Sequence, residues 1–391
     1  MIPKGFLFST AEAAIKYSRR KDLALIYSDK EANIAGVFTT NSVQAAPVRL
    51  DMKRIKSGKG QAIIVNSGNA NACTGKKGMQ DAAETAERVA HGLNIKPSLV
   101  YVCSTGVIGL PMPMERVRPK ISELTDNLGR SNIQDVATAI MTTDTFPKIV
   151  YKKVKIGNKT GIIAGICKGA GMIWPNMATM LCFLMTDIAV EQKTLDKSLR
   201  DAVKKSFNRI SVDGDRSTND TVLIMANGTL GNPLITENSE PYNVFKTALQ
   251  EVTLNLSKLI VKDGEGATKY IEIEVKGARS EAEAEKAAFS VANSNLVKTA
   301  IYGNDPNWGR IMAALGYSGV KMKEEKVDIY FGKIQIVNKG TGTGKDEKAA
   351  EILKGTKLRI TINLNLGRSS AKILTCDLTE EYIRENIAYR T

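Results

Sequence analysis

No uninterrupted apolar run in this 391-residue chain is longer than the six residues Met180–Met185. A membrane-spanning helix needs about 20, so the chain must bury its apolar residues in short segments of a globular core. Those segments alternate between two kinds. Ala62–Asn66, Leu99–Cys103 and Thr221–Ala226 are short apolar runs, the pattern of strands covered on both faces. Tyr270–Lys276 alternates, with Ile271, Ile273 and Val275 against Glu272, Glu274 and Lys276, and predicts a half-buried strand. Lys326–Val337 predicts a hairpin turning near Gly332, and Leu358–Leu366 alternates again.

Helical periods lie between these strands. Phe245, Ala248, Leu249, Val252, Leu256 and Leu259 fall on one face of a helix over Asn243–Ile260. Ser280 with Glu283 forms a capping-box pattern opening a helix to about Asn295, and Glu380–Ala388 reads as a terminal helix. The mixture implies an α/β or α+β chain whose sheet faces are covered by helices. At roughly 150 residues per domain, the length allows two or three domains.

Lys and Arg number 55 against 41 Asp and Glu, a net charge of +14. The basic residues are dispersed, without a run of five. This fits a solvated surface, or steering of small anionic substrates, better than nucleic-acid binding. Five cysteines, Cys73, Cys103, Cys167, Cys182 and Cys376, are widely spaced and never form CxxC. Reduced thiols in the cytoplasm explain them. The N-terminal Met1-Ile2-Pro3-Lys4-Gly5 leads into Ser9-Thr10-Ala11-Glu12, which predicts no export signal. The Gly-Thr repeat Lys339–Lys345 resembles a phosphate loop. It lacks the first glycine and the final hydroxyl, and reads instead as a mobile loop.

The chain has one histidine. His91 ends the helical stretch Met79–His91 and precedes Gly92, a dipole and C-cap arrangement. A His-based nucleophile system or a His-ligated zinc site would depend on this residue alone. Such sites are not expected, so in an enzyme the base should be a carboxylate, a lysine or an amino terminus; no motif calls for a metal or a cofactor.

Four loops rich in Gly, Asn, Ser and Thr adjoin the apolar strands: Asn66–Gly75, Cys103–Gly109, Lys168–Leu181 and Tyr302–Arg310. The second offers the Thr105 hydroxyl beside the bare Gly106 amide, as an oxyanion hole requires. In the third, a Gly- and Pro-containing stretch runs into a strand at Thr179, with the small Ala178 before it.

Gly171–Leu181, GMIWPNMATML, closely resembles the self-cleavage segment of the ornithine acetyltransferase family of arginine biosynthesis. Asn66–Gly75, Cys103–Gly109, Ile140–Thr145, Ser211–Asp215, Tyr302–Arg310 and Asn386–Thr391 resemble the family in the same order, so the likeness spans the chain. Trp174 departs from it, since the family more often has a different residue before the Pro. The resemblance implies a layered sheet sandwich with flanking helices, shared with DmpA-like enzymes, plus a smaller α/β domain near 260–370 and a C-terminal tail returning to the active site. It implies cleavage of the Ala178–Thr179 bond into chains 1–178 and 179–391, assembled as an α2β2 heterotetramer. Thr179 would be the nucleophile, and Thr105 and Gly106 the oxyanion donors. Thr142, Lys168, Thr179, Glu265, Asn386 and Thr391 would contact substrate, with Thr143 an equal competitor for Thr142. The implied reaction passes acetyl from N-acetylornithine to glutamate by a ping-pong route. Whether acetyl-CoA also serves as donor is not readable from any motif. The alternative is a related self-processing amidohydrolase or aminopeptidase, with water as acceptor.

Overall fold

The computed structural model describes residues 1–174 and 180–388. It divides into two compact units, one of Met1–Asn208 with Asp215–Ile260, the other of Arg209–Gly214 with the chain from Val261 on.

The first unit is built on an eight-stranded sheet: β1 (Phe6–Ala11), β2 (Leu23–Phe38), β3 (Lys59–Asn69), β4 (Val100–Val107), β5 (Lys148–Ile156), β6 (Lys159–Lys168), β7 (Leu181–Thr186) and β8 (Thr221–Ala226). The order is β4-β3-β2-β8-β7-β6-β5, with β1 on β2. Its helices are α1 (Ala46–Arg54), α2 (Gly75–Leu93), α3 (Met114–Asp126), α4 (Ile133–Ala139), α5 (Gln192–Lys204) and α6 (Tyr242–Lys262). Every residue of β7 and β8 is buried, which is why both read as unbroken apolar runs.

The sixteen-residue β2 explains the shape of this sheet. Its first half pairs with β1 and β3, its register shifts between Tyr27 and Ala32, and its second half pairs with β8. Laid flat, β4 and β6 would stand five strand spacings apart, about 24 Å at ~4.8 Å each. Yet Lys168 at the end of β6 reaches Thr105 on β4. Helix α4 likewise touches β1 and β2 at one side and β5 and β6 at the other. The sheet therefore folds back on itself into two layers. Ile63, Val65, Phe183, Met185, Leu223 and Met225 share the core between them. Helices α2 and α3 cover the outer face of the β3–β4 layer. On the other layer α6 lies against β6 at Gly165, where a Cβ would sit 2.8 Å from Leu256. This is the layered sandwich with flanking helices that the sequence leads one to expect.

The second unit holds a six-stranded sheet of β9 (Tyr270–Ala278), β10 (Asp328–Phe331), β11 (Ile334–Asn338), β12 (Thr341–Gly342), β13 (Lys357–Asn363) and β14 (Ser369–Cys376), in the order β12-β11-β10-β13-β9-β14. Its helices are α7 (Glu281–Ala292), α8 (Asn295–Tyr302), α9 (Trp308–Gly316), α10 (Asp346–Leu353) and α11 (Glu380–Ala388). Ile271, Ile273 and Val275 face a core shared with Ala284, Ala288 and Val291 of α7. On the other face Glu272 pairs with Arg359 and Lys372 at 2.8 and 2.9 Å.

Three local expectations change. Helix α2 continues past Gly92 to Leu93 and is closed by Asn94, left-handed at φ 53°, whose N–H donates to the carbonyls of Ala90 and His91. The helix opened by Ser280 stops at Ala292, and Ser294 caps a new one by accepting from the Val297 amide. The Lys339–Lys345 segment is partly ordered in a sheet: Thr341–Gly342 pairs with β11, and Lys339 and Gly340, at φ 49° and 79°, make the tight turn. Among the described residues, no helix is long and apolar enough to cross a membrane.

Phe183 is fully buried in the shared core. Phe183→Ala should cost about 3–5 kcal/mol of unfolding free energy by urea titration. A loss below about 1 kcal/mol would show that the two layers do not close on this residue.

Candidate active site

The end of β4 carries Thr105 and Gly106. Here β3 and β4 run parallel and the register breaks at Gly68 and Asn69, so that Asn69 opposes both Thr105 and Val107. Gly106 has φ +135°, and a Cβ on it would lie 2.3 Å from the Gly68 carbonyl carbon. Only glycine fits, and the bulge bends the strand end. Behind it stands a buried amide network. Ser104 Oγ donates to Asn66 Oδ1 at 2.6 Å, and the Asn219 side-chain amide donates to the carbonyls of Ala70 and Ser104 at 2.6 and 2.8 Å.

Lys168, 2 % exposed, ends β6 and donates from Nζ to Thr105 Oγ1 at 3.3 Å. Asp144 organises the charge around it. Its Oδ1 accepts from the Gly169 amide at 2.7 Å and from Lys148 Nζ at 2.6 Å, and its Oδ2 accepts from the Thr142 amide at 3.0 Å. Lys148 and Asp144 are both fully buried at the side chain. Burial alone would raise the Asp144 carboxyl. The Lys168 and Lys148 ammonium groups and the Gly169 amide outweigh it and hold the carboxyl below its ordinary value. Thr142 is thus hydrogen-bonded to Asp144, whose charge faces Lys168, and Lys168 in turn donates to Thr105. Thr142 and Thr143 are equally half-buried, so burial does not separate them.

The segment leading toward the expected cleavage position is described through Trp174, whose ring lies 4.4 Å from the Arg216 guanidinium. This cation–π contact explains how an unusual residue is accommodated there. Ala178, Thr179 and Thr391 lie outside the described residues. Immediately after Thr179, the Met180 amide donates to Asp220 Oδ1 at 2.9 Å.

In the second unit, Glu265 and Asn386 meet. Asn386 Nδ2 donates to Glu265 Oε2 at 2.9 Å. Carboxylates gather around them. Glu385 is pushed up first by burial, then by Glu265, Glu381 and Asp263. Such a concentration of negative charge suits a bound ammonium group.

Asp144, Lys148, Asn219 and Asp220 have no assigned role in the sequence reading. Asp144 falls within the Ile140–Thr145 string, but nothing in one sequence marks an Asp or Lys as buried. Among the described residues, no group of His, Cys, Asp and Glu could hold a metal ion.

The ArgJ family model matches residues 7–391. The chain is 53% identical over 390 residues to the arginine biosynthesis bifunctional protein ArgJ of Geobacter sulfurreducens, covering 99% of both chains. It is 51% identical over 395 residues to the protein of the same name from Caldanaerobacter subterraneus subsp. tengcongensis, covering 100% of this chain and 98% of the relative. A crystal structure of arginine biosynthesis bifunctional protein argJ from Bacillus halodurans matches with a TM-score of 0.51 and 43% identity, over 53% of this chain and 98% of that one.

Asp144→Ala removes the anion between two buried ammonium groups. It should cost about 3–5 kcal/mol. Because the folded carboxyl lies below its unfolded value, its stabilisation is complete above the ordinary Asp value of 3.8 and is lost as pH falls below it. Unfolding titrations of both proteins at falling pH should therefore converge. A constant difference across that window would remove Asp144 from the charge network.

Proposed function

The chain belongs to the ArgJ family, and from that premise we propose that it transfers acetyl from N2-acetyl-L-ornithine to L-glutamate through an acetyl-enzyme on Thr179. The Thr179 hydroxyl first attacks the Ala178 carbonyl and displaces its own nitrogen. Water then opens the ester, leaving chains 1–178 and 179–391. An α-amine has an ordinary pKa of about 7.7–8.0, matched to a general base near neutrality. This base needs no histidine, which accords with a chain holding one.

In transfer, the amine takes the proton of the Thr179 hydroxyl as its oxygen attacks the acetyl carbonyl. Thr105 and Gly106 donate to the developing oxyanion. The proton returns to the departing ornithine amine, and the glutamate amine then attacks the ester. Lys168 receives the α-carboxylate common to both amino acids. Glu265, steadied by Asn386, receives the ornithine side-chain ammonium. Thr142 and the terminal Thr391 complete the substrate contacts.

The observation that most supports this reading is the buried Lys168 ammonium 3.3 Å from the Thr105 hydroxyl. It sets a carboxylate-binding charge beside an oxyanion donor. The Bacillus halodurans chain is matched over nearly its whole length yet spans 53% of this one. That is the size of one fragment, since 179–391 is just over half of the chain. Two copies of each fragment make the working assembly, in the cytoplasm. Acetyl-CoA is the second donor to try, in keeping with the word bifunctional in the relatives' names. The hydrolase alternative would release free acetate from N-acetylornithine without glutamate.

Thr179→Ala should give one uncut chain on a denaturing gel and no acetyl transfer. Two fragments from this variant would reject the scheme. Glu265→Gln should still be cut, with KM for N-acetylornithine raised about tenfold. Unchanged kinetics would release Glu265 from its role.

A further inference from the structure

A cavity of about 10 Å³, room for one water-sized occupant, lies between helix α2 and strands β3 and β4. Its polar lining residues are Asn66, Asn71, Asp81, Thr85, Ser104 and Cys103, and the rest of its wall is apolar. Asp81 is 1 % exposed. Its Oδ2 is buried and has no hydrogen-bond partner among the described residues. A carboxylate oxygen buried in that way costs stability until a donor or a cation meets it.

The neighbouring cations are engaged elsewhere. Lys77, one turn earlier on α2, donates to Asp81 Oδ1, and its side chain is 60 % exposed. Arg118 of α3 feels the Asp81 charge, but its guanidinium forks onto Glu84 at 2.7 and 3.0 Å. The lining donors also point away. Thr85 Oγ1 donates to the Asp81 carbonyl at 2.7 Å, and Ser104 Oγ donates to Asn66 Oδ1 at 2.6 Å. The Cys103 thiol faces Asp51 Oδ2 at 3.8 Å. Asn66 and Asn71 each donate from Nδ2 to a carbonyl, of Asn69 at 2.8 Å and of Gly78 at 2.9 Å. A hydroxyl carries one hydrogen, so Thr85 and Ser104 have only lone pairs left to offer beside Asp81 Oδ2.

A single water donates to two acceptors at most, whereas a cation meets several oxygens at once. A divalent ion takes six or more oxygens, with several carboxylates or waters among them. One carboxylate and two hydroxyls in a water-sized space suit a small ion of single charge. We propose that this cavity is a binding site for a sodium ion, with Asp81 Oδ2, Thr85 Oγ1 and Ser104 Oγ as its ligands. Ser104 precedes Thr105 on β4, so the ion ties α2 to the strand end that carries the oxyanion pair. The inference stands apart from the role given to Thr179, because its test reads stability and not acetyl transfer.

The test is thermal unfolding of the whole purified protein, first in choline chloride and then with sodium or potassium replacing choline at constant ionic strength. Sodium should raise the wild-type Tm saturably, by about 3 °C or more. Potassium, a larger ion, should give less than half of that rise. Asp81→Asn should abolish the sodium effect. Thr85→Val keeps the side-chain shape and removes one oxygen, and should need about tenfold more sodium for the same rise. A wild-type Tm that is the same in sodium and choline overturns the proposal and leaves the cavity to an ordered water. Equal rises in sodium and potassium overturn it too, as does a Thr85→Val titration that coincides with wild type. If Asp81→Asn does not fold, the wild-type and Thr85→Val titrations decide without it.

Discussion

The folding-back of one sheet is the constraint on which the candidate site depends. Thr105 and Lys168 stand on strands five places apart in the hydrogen-bonding order, and only the turn made along β2 brings them to 3.3 Å. That turn is held by an apolar core drawn from both layers, so the chemistry at the strand ends is paid for by side chains such as Ile63 and Phe183 that never touch it. Placing the groups on strand ends fixes them more firmly than loops would.

Closing the sheet also buries charge. Lys148 and Lys168 lose nearly all contact with water around the carboxylate of Asp144. Burial of each ion costs several kcal/mol before pairing, so a cluster of this kind is poor value as a stabilising device. It makes sense as a preset charge, positive beside Thr105, as the proposed binding of a substrate carboxylate requires. Asp144 orders the arrangement by accepting from Lys148, from the turn at Gly169 and from the Thr142 amide together. The second unit carries a cluster of the opposite sign, where burial first and then Glu265, Glu381 and Asp263 raise the Glu385 carboxyl.

Much of the fold is legible in the sequence, because it is written in periodicity. The continuous runs of β7 and β8, the alternation of β9 and the apolar face of α6 each follow from how many faces of the element are covered. The hairpin at Gly332 follows from turn chemistry. What escapes is set by single backbone conformations: Asn94 rather than a glycine closing α2, and Lys339 in a left-handed turn. The site is legible only through motif likeness. Lys168 and Glu265 look like surface charges on their own, and Asp144, Lys148 and Asp220 acquire meaning only when distant strands bury them. No local pattern encodes a contact made by folding a sheet onto itself.

In the proposed reaction, acetyl rests on Thr179 of a cut chain. Intact-mass analysis of the purified protein, incubated with N-acetylornithine and no glutamate, tests it most directly. Two fragments are expected, with one acetyl group on the fragment that begins at Thr179 and its loss when glutamate is added. A single 42.4 kDa chain that still turns over, or acetyl carried on the other fragment, would contradict it.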